Sequence, residues 1–596
     1  MSAEKVIMAY EFEPSHPALV TALLDRLAAS EEDLVKVWQR LWLDPGYQTL
    51  DDALRAEVDF LFAYELQEEY GSAGVVTLEE SQHLLTATRP MSETPPAAWA
   101  LWIEVNGSLQ NPIVAAHLAD VLLTSRTDSS PDHAVATVNS YLSVAADGHV
   151  SSEHVALSLG RANSIARSRA MAEELAVRDT MIRLSGTFAV DPDKVGPALT
   201  LLAALSVPPR GGAFSEGERG DLERRLFALG NSYFTLVDEV FDTLARLAVD
   251  ASALEIAQRW QVNQYLGLAE AEDNGMRKMH HAQSAADLAG SYGLRDLKGT
   301  AIVMMQSIDH DSMGWQSAVI DAPLSKNAFR AHLRRYRRAR NWEYALMVFL
   351  ASGSPSGDHE ANVRSAERAA VGSIRALVSR TTYGTHGLPE RSDGNFLDEE
   401  VVRNESFRLN FSGILLAHEL EYVRDRFEPP STRHVADWMA ASFSSDPTLA
   451  EHFAESLALH WAGKFSDSAR LAIPLIEAGA RGLLLRLDEP LYRTQRGNSP
   501  GKFPTMDFYL EALSNRGLDP DWGRALRLAL LSPGMNLRNR FAHGFDLSFT
   551  EAQSALLLRL AGLFCSMPVG MDESDLPAPT KSARGQLRRR PAWAWL

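Results

Sequence analysis

Trp522-Gly523-Arg524-Ala525-Leu526-Arg527-Leu528-Ala529-Leu530-Leu531 and Glu551-Ala552-Gln553-Ser554-Ala555-Leu556-Leu557-Leu558-Arg559-Leu560-Ala561-Gly562-Leu563-Phe564 bracket the segment that decides how this chain folds. The first stretch has apolar residues at three- and four-residue spacing and reads as an amphipathic helix, stopped by Ser532-Pro533-Gly534. The second is apolar almost all round, the pattern of a mostly buried helix. Between them stands Arg538-Asn539-Arg540-Phe541-Ala542-His543-Gly544, which therefore lies at a helix–helix junction inside an apolar bundle. Arg538 and His543 can meet on one helical or turn surface and offer a permanent cation beside a group that titrates near neutrality. Asn539 adds an amide that donates or accepts, and Gly544 relaxes the backbone after the histidine. Such a set suits cleavage of a phosphodiester without a metal. It also suits tying down a turn, with the arginine on helix C-terminal carbonyls and the histidine bonded across the turn.

The bare spacing of Arg, four to six residues, then His also occurs at Arg126 to His133 and at Arg380 to His386, both in polar, loop-like contexts. The third copy differs in its flanking helices and in a second passage upstream. That passage runs His460-Trp461-Ala462-Gly463-Lys464-Phe465, then Ala472-Ile473-Pro474-Leu475-Ile476-Glu477-Ala478-Gly479-Ala480-Arg481. Together the two passages resemble the HEPN superfamily, and within it the large bacterial proteins that end in a HEPN-like domain of unknown function. The resemblance covers roughly residues 446–566, about a fifth of the chain. It implies an up-and-down helical bundle, a homodimer with two Arg/His sets facing one cleft, and a metal-independent endoribonuclease with no cofactor. In that reading His543 is general base or general acid, Arg538 binds the scissile phosphate, and Asn539 orients the histidine or a phosphate oxygen. Glu477 and Arg540 support the site; Glu477 either orients the arginine or forms a structural salt bridge. The products would be a 2′,3′-cyclic phosphate and a 5′-hydroxyl. The superfamily also has members without nuclease activity, so a non-catalytic helical binding or dimerisation module stands as the alternative. A role in bacterial stress or phage defence, as a toxin under control of a sensing scaffold, follows from the resemblance alone.

Outward from the motif the pattern stays helical. Leu19-Val20-x-x-Leu23-Leu24-x-x-Leu27-Ala28 and Val58-x-x-Leu61-Phe62-x-x-Glu65-Leu66 both have helical spacing. Residues 113–123 and 134–145 form a pair of short helices broken at Thr127-Asp128-Ser129-Ser130-Pro131, resembling tetratricopeptide or HEAT-type α-α units. A small-residue stripe, Ala282, Ala285, Ala286 and Ala289, suggests another pair. Runs of alternating polar and apolar residues are scarce. The expected fold is all-α: an N-terminal helical domain over 1–210, a repeat-like middle region over 211–445, the HEPN-like bundle over 446–570 and a mobile tail over 571–596. Breaks are expected near 88–96, 208–212, 352–358, 383–395 and 488–504.

The chain has 596 residues, 45% hydrophobic and 23% charged, ordinary for a globular protein, and a net charge of −19 that argues against broad coating of nucleic acid. Residues 446–570 are neutral, with 13 basic and 13 acidic side chains, so an RNA would be held at one local site, and the scaffold could bind a protein partner. No apolar run is long enough to span a membrane, and the first residues do not read as a secretory signal, so cytoplasm is the expected compartment. The single cysteine, Cys565, reads as a small buried residue. His418-Glu419-Leu420-Glu421-Tyr422 starts like a zinc-protease helix but lacks the second histidine, and Asp309-His310-Asp311 and His280-His281 lack ligand partners; no metal site is expected. Nucleotide-binding and serine-hydrolase signatures are absent. The densest basic run, Arg330, Arg334, Arg335, Arg337, Arg338 and Arg340, reads as a solvated helix or a phosphate-binding one, and the tail ends in an Arg/Trp segment.

Overall fold

The computed structural model describes residues 10–68, 74–81, 89–315, 326–371, 373, 381–383, 387–392, 395–495 and 500–567. The tail from 571, with its Arg/Trp end, and the Arg380 to His386 pair lie outside the described residues. The fold is all-α: the described residues form 27 α-helices and two short antiparallel hairpins, Tyr64–Glu68 with Val76–Glu80 and Thr381–Tyr383 with Pro389–Ser392. No helix among the described residues is long and apolar enough to cross a membrane.

The first hairpin corrects the helical reading of residues 58–66. The helix Asp52–Leu61 ends there, and Tyr64-Glu65-Leu66-Gln67 continues as a strand with Leu66 opposite Leu78. That tetrapeptide alternates apolar and polar, so its apolar positions fit both periods over so short a window.

The chain divides into two compact units, 1–315 and 316–596. In the first, successive helices pack on one another. The pair expected at 113–123 and 134–145 is found as Pro112–Thr124 and Pro131–Ala146. Asn111 and Ser130 supply the N-caps, each side chain accepting from backbone N–H groups of the first turn. Asp120 is buried between the two helices, where Arg161 grips it at 2.7 and 2.8 Å and the Tyr141 hydroxyl donates at 2.8 Å. The alanine stripe is buried in Gly275–Tyr292. One core runs continuously from residue 116 to residue 257, because Leu201, Leu202 and Leu205 pack with Leu222 and Leu226 across the proline-glycine loop at 208–212. The division drawn at 210/211 is thus a loop within one body.

The second unit is built round Glu551–Cys565, whose side chains from Ser554 to Cys565 are all buried. A Thr550–Gln553 capping box starts it. Around it pack Trp342–Leu350, the long helix Phe396–Arg426, Pro447–Trp461 and Phe465–Arg486. A Cβ on Gly479 would lie 2.5 Å from Cβ of Phe564, so glycine is what lets the last of these helices approach closely. Five buried leucines on the central helix each contribute about 1.5–3 kcal/mol of transfer free energy. Arg559 is buried among them, its guanidinium 4.4 Å from the Trp522 ring and bonded to Ser352, and burial pushes its pKa down to about 9. Cys565 is buried too, its thiol pushed up to about 12. The core spans residues 333–565, so Val435, Met439 and Phe443 share it with Phe453 and the division at 445/446 also falls inside one body. The unit that carries the motif, 316–596, is more than twice the length of residues 446–566.

Candidate functional site

Met506–Asn515 and Pro520–Leu530 lead into the motif, and the second ends where Ser532-Pro533-Gly534 follows it. The motif itself forms a six-residue helix, Leu537–Ala542, with His543 as its C-cap. Leu537 is buried, and Phe541, one turn on, packs against the core and lies 5.9 Å from the Phe549 ring. With 537 and 541 inward, a rise of 100° per residue turns 539, 542 and 543 outward and leaves 538 and 540 on the two flanks. Ala542 and His543 are exposed and Arg538 and Arg540 half-buried, as that rotation requires, while Asn539 is half-buried beside Arg538.

Each flanking arginine has a carboxylate. Arg538 Nη2 lies 3.4 Å from Glu477 Oε2, and its Nη1 donates to Asn539 Oδ1 at 3.1 Å. Arg540 pairs with Asp546 at 2.5 Å. The turn after the helix is closed by backbone: Gly544, at φ 76°, donates to the Phe541 carbonyl at 3.0 Å, and Phe545 donates to the Arg540 carbonyl at 2.8 Å. This is a Schellman ending, which needs a left-handed residue where Gly544 stands. Arg470 then holds the Leu547 carbonyl at 2.6 Å and Ser466 accepts from the Phe549 N–H at 3.0 Å, so the loop is tied to the first turn of Phe465–Arg486.

Arg538 and His543 are expected to meet on one surface, and the contacts found for each are with other residues. Five residues of helix set them roughly 140° apart, and it is Asn539, four residues before His543, that shares its face. The His543 ring makes no hydrogen bond or ion pair among the described residues; its ring neighbour is Phe545, at 6.4 Å. The structure thus joins Glu477, Arg538 and Asn539 in one chain of contacts, gives Arg540 to the turn, and leaves His543 facing solvent. Beside it Phe545 and Leu547 are exposed, at 58% and 64%. Arg481, one turn beyond Glu477 and without a carboxylate partner among the described residues, has its guanidinium 5.7 Å from the Phe503 ring; its spacing of four from Glu477 is the signal that places it on the same side.

The other candidates resolve differently. His133 Nε2 lies 2.9 Å from the Ala119 carbonyl, a link between the two helices that its loop joins. Among the described residues no group of three or more His, Cys, Asp and Glu could hold a metal ion. Glu419 is buried and receives His332 and Tyr336, each at 2.5 Å. A second buried carboxylate, Glu405, escapes a motif search. It accepts from Arg524 at 2.7 and 2.9 Å and lies 2.7 Å from His359 Nδ1, linking three helices. Its sequence signal is a charge on an apolar stripe, four residues from both Val401 and Leu409. Compared with known proteins, the chain matches no family model, no curated protein and no solved structure.

Proposed function

We propose that the second unit is an endoribonuclease that works without a metal, using Arg538, Asn539 and His543, and that a second copy of the chain completes the site. The observation that carries this reading is the freedom of His543. In the structural alternative Arg538 would cap helix carbonyls and His543 would bond across the turn. Here the turn is tied by Gly544 and the Arg540–Asp546 pair instead, Arg538 donates to side chains alone, and the imidazole is exposed and unbonded. Residues that a turn does not need are available for chemistry.

The exposed imidazole of His543 can take the proton of a ribose 2′-hydroxyl or return one to the leaving 5′-oxygen. Arg538, oriented by Glu477 and Asn539, would place forked donors on the scissile phosphate as charge builds there. Because Arg538 and His543 diverge within one chain, the arginine of one copy would serve the histidine of the other. The exposed Phe545 and Leu547 give that contact an apolar rim. The first unit, a run of packed helix pairs, would sense a trigger or bind a partner. The same apolar rim also favours the runner-up, a dimerisation module with no chemistry.

Purified protein with RNA in EDTA separates the two. The nuclease reading expects products ending in a cyclic phosphate, with cleavage lost in His543→Ala and Arg538→Ala while both variants stay folded and dimeric. A dimer that cleaves no RNA supports the module instead, and cleavage abolished by EDTA in the wild type would mean another site is at work.

A further inference from the structure

Residues 330–340 hold six arginines and not one carboxylate, in a chain whose net charge is −19. The local structure sorts this run cleanly. Leu333, Tyr336 and Ala339 recur every third residue and are buried, while Arg330, Arg334, Arg335, Arg337, Arg338 and Arg340 are all exposed. The two short helices Lys326–His332 and Arg334–Arg337 follow one another through Leu333. From below, Glu419 receives both His332 and Tyr336 at 2.5 Å, and Arg426 donates to the carbonyls of Arg337 and Ala339 at 2.9 and 3.2 Å. The face is therefore held from the interior of the second unit.

None of the six guanidinium groups has an ion pair or hydrogen bond among the described residues. Elsewhere in the same unit Arg403, Arg424, Arg470, Arg516, Arg524 and Arg527 each hold a carboxylate, and Arg481 has its guanidinium near the Phe503 ring. Six unmatched cations within eleven residues repel one another at the range of the Debye length, about 8 Å at physiological salt. An external polyanion relieves that repulsion. Guanidinium is the side chain whose forked donors fit phosphate, and the run contains no lysine. A protein partner would want an apolar anchor at the centre of its footprint. Here Leu333, Tyr336 and Ala339 point inward, and the exposed Ala331 is too small to serve as an anchor.

We infer that this arginine face docks the phosphate backbone of single-stranded RNA and holds the strand for the Arg538 and His543 site of the same unit. The choice of RNA rests on the endoribonuclease reading; the cationic face itself does not. The test compares the full-length chain with an Arg334→Gln, Arg335→Gln, Arg337→Gln, Arg338→Gln variant, each also carrying His543→Ala so that a labelled 20-nucleotide RNA stays intact. Binding through six phosphates gives a log–log salt slope of about −4, from about −0.7 per contact on a single strand, and the variant should lose about 3 of it and bind roughly tenfold more weakly or worse. With His543 intact, the arginine variant should raise KM for the long RNA while leaving kcat, and leaving cleavage of a dinucleotide unchanged. Unchanged affinity and slope in the folded variant would overturn the inference. So would tighter binding of a poly-glutamate peptide of equal charge, which would make the face a protein-docking site. Arginine-dependent RNA binding by a wild-type chain that cleaves nothing would sink the nuclease reading and leave this one standing.

Discussion

Two histidines in the second unit sit at helix ends that look alike in sequence and do opposite things. His460-Trp461-Ala462-Gly463 ends Pro447–Trp461, and His543-Gly544 ends Leu537–Ala542. Both turns pass through a left-handed glycine, Gly463 at φ 75° and Gly544 at φ 76°. His460 stands three residues before its glycine and points into the bundle, where Nδ1 meets Ser554 Oγ at 2.8 Å and the ring packs on Phe465 at 5.2 Å. Burial, assisted by the nearby Arg424 cation, pulls its pKa down to about 4. His543 stands directly before its glycine and points out. The turn sets the backbone, and the offset of the histidine from the glycine decides whether the imidazole is a core residue or a surface reagent.

The sharpest way to break that contrast is to remove each imidazole in turn. His543→Ala should lower RNA cleavage by roughly 10²–10⁴, the usual worth of a positioned acid or base. Its unfolding free energy should move by less than about 0.5 kcal/mol, since the side chain touches little. His460→Ala should destabilise the second unit by about 3–5 kcal/mol, from an emptied aromatic-sized site and the loss of one of the two hydrogen bonds of the Ser554 hydroxyl. Urea denaturation with a cleavage assay on each variant gives both numbers. A destabilised His543→Ala would make the two turns equivalent and would return the motif to a structural role.

Acid should sharpen the same contrast. His460 has a folded pKa near 4 against about 6.5 unfolded, so the unfolded chain binds its proton first as pH falls. Stability from this group is complete above about pH 6.5 and is lost as pH drops toward 4, by about 3 kcal/mol. The difference in unfolding free energy between wild type and His460→Ala should therefore shrink by that amount from pH 7 to pH 4. A difference that stays constant would mean that His460 is hydrated or charged in the folded protein.

Much of this is legible in the sequence where the physics is local. The helix stop at Ser532-Pro533-Gly534, the break between Thr124 and Pro131, the alanine stripe and the buried helix around Leu556–Leu558 depend on spacing and turn residues within a few positions of each other, and all are found. The extent of each body is not legible, because it depends on distant contacts: Val435 and Phe443 join the core of Phe453 across a turn that reads as a boundary. The site is legible as to residues and not as to convergence. Arg538 and His543 stand five residues apart in the motif, and with Leu537 and Phe541 packed inward the helix rotation sets them on different faces. Glu405 and Glu419 could be read as anomalies on apolar stripes, although their partners, 46 to 119 residues away, could not.

The smallest effect concerns the glycines themselves. Neither Gly463 nor Gly544 has any atom within 4 Å of where a Cβ would stand, so Gly463→Ala and Gly544→Ala meet no clash. Each would cost only the left-handed backbone conformation, roughly 1 kcal/mol. The two variants should thus be equally and mildly destabilised, and denaturation curves should place them within a few tenths of a kcal/mol of one another. Function should part them. At Gly544 any relaxation of φ moves the C-cap and the imidazole on it, and a displacement of about 1 Å at a reacting group costs about 10² in rate. At Gly463 the same relaxation reaches a histidine already locked against Ser554 and no reacting group at all. Equal stability with unequal cleavage would tie the second turn to catalysis; equal loss of cleavage in both would mean that rate follows the integrity of the bundle and not the aim of His543.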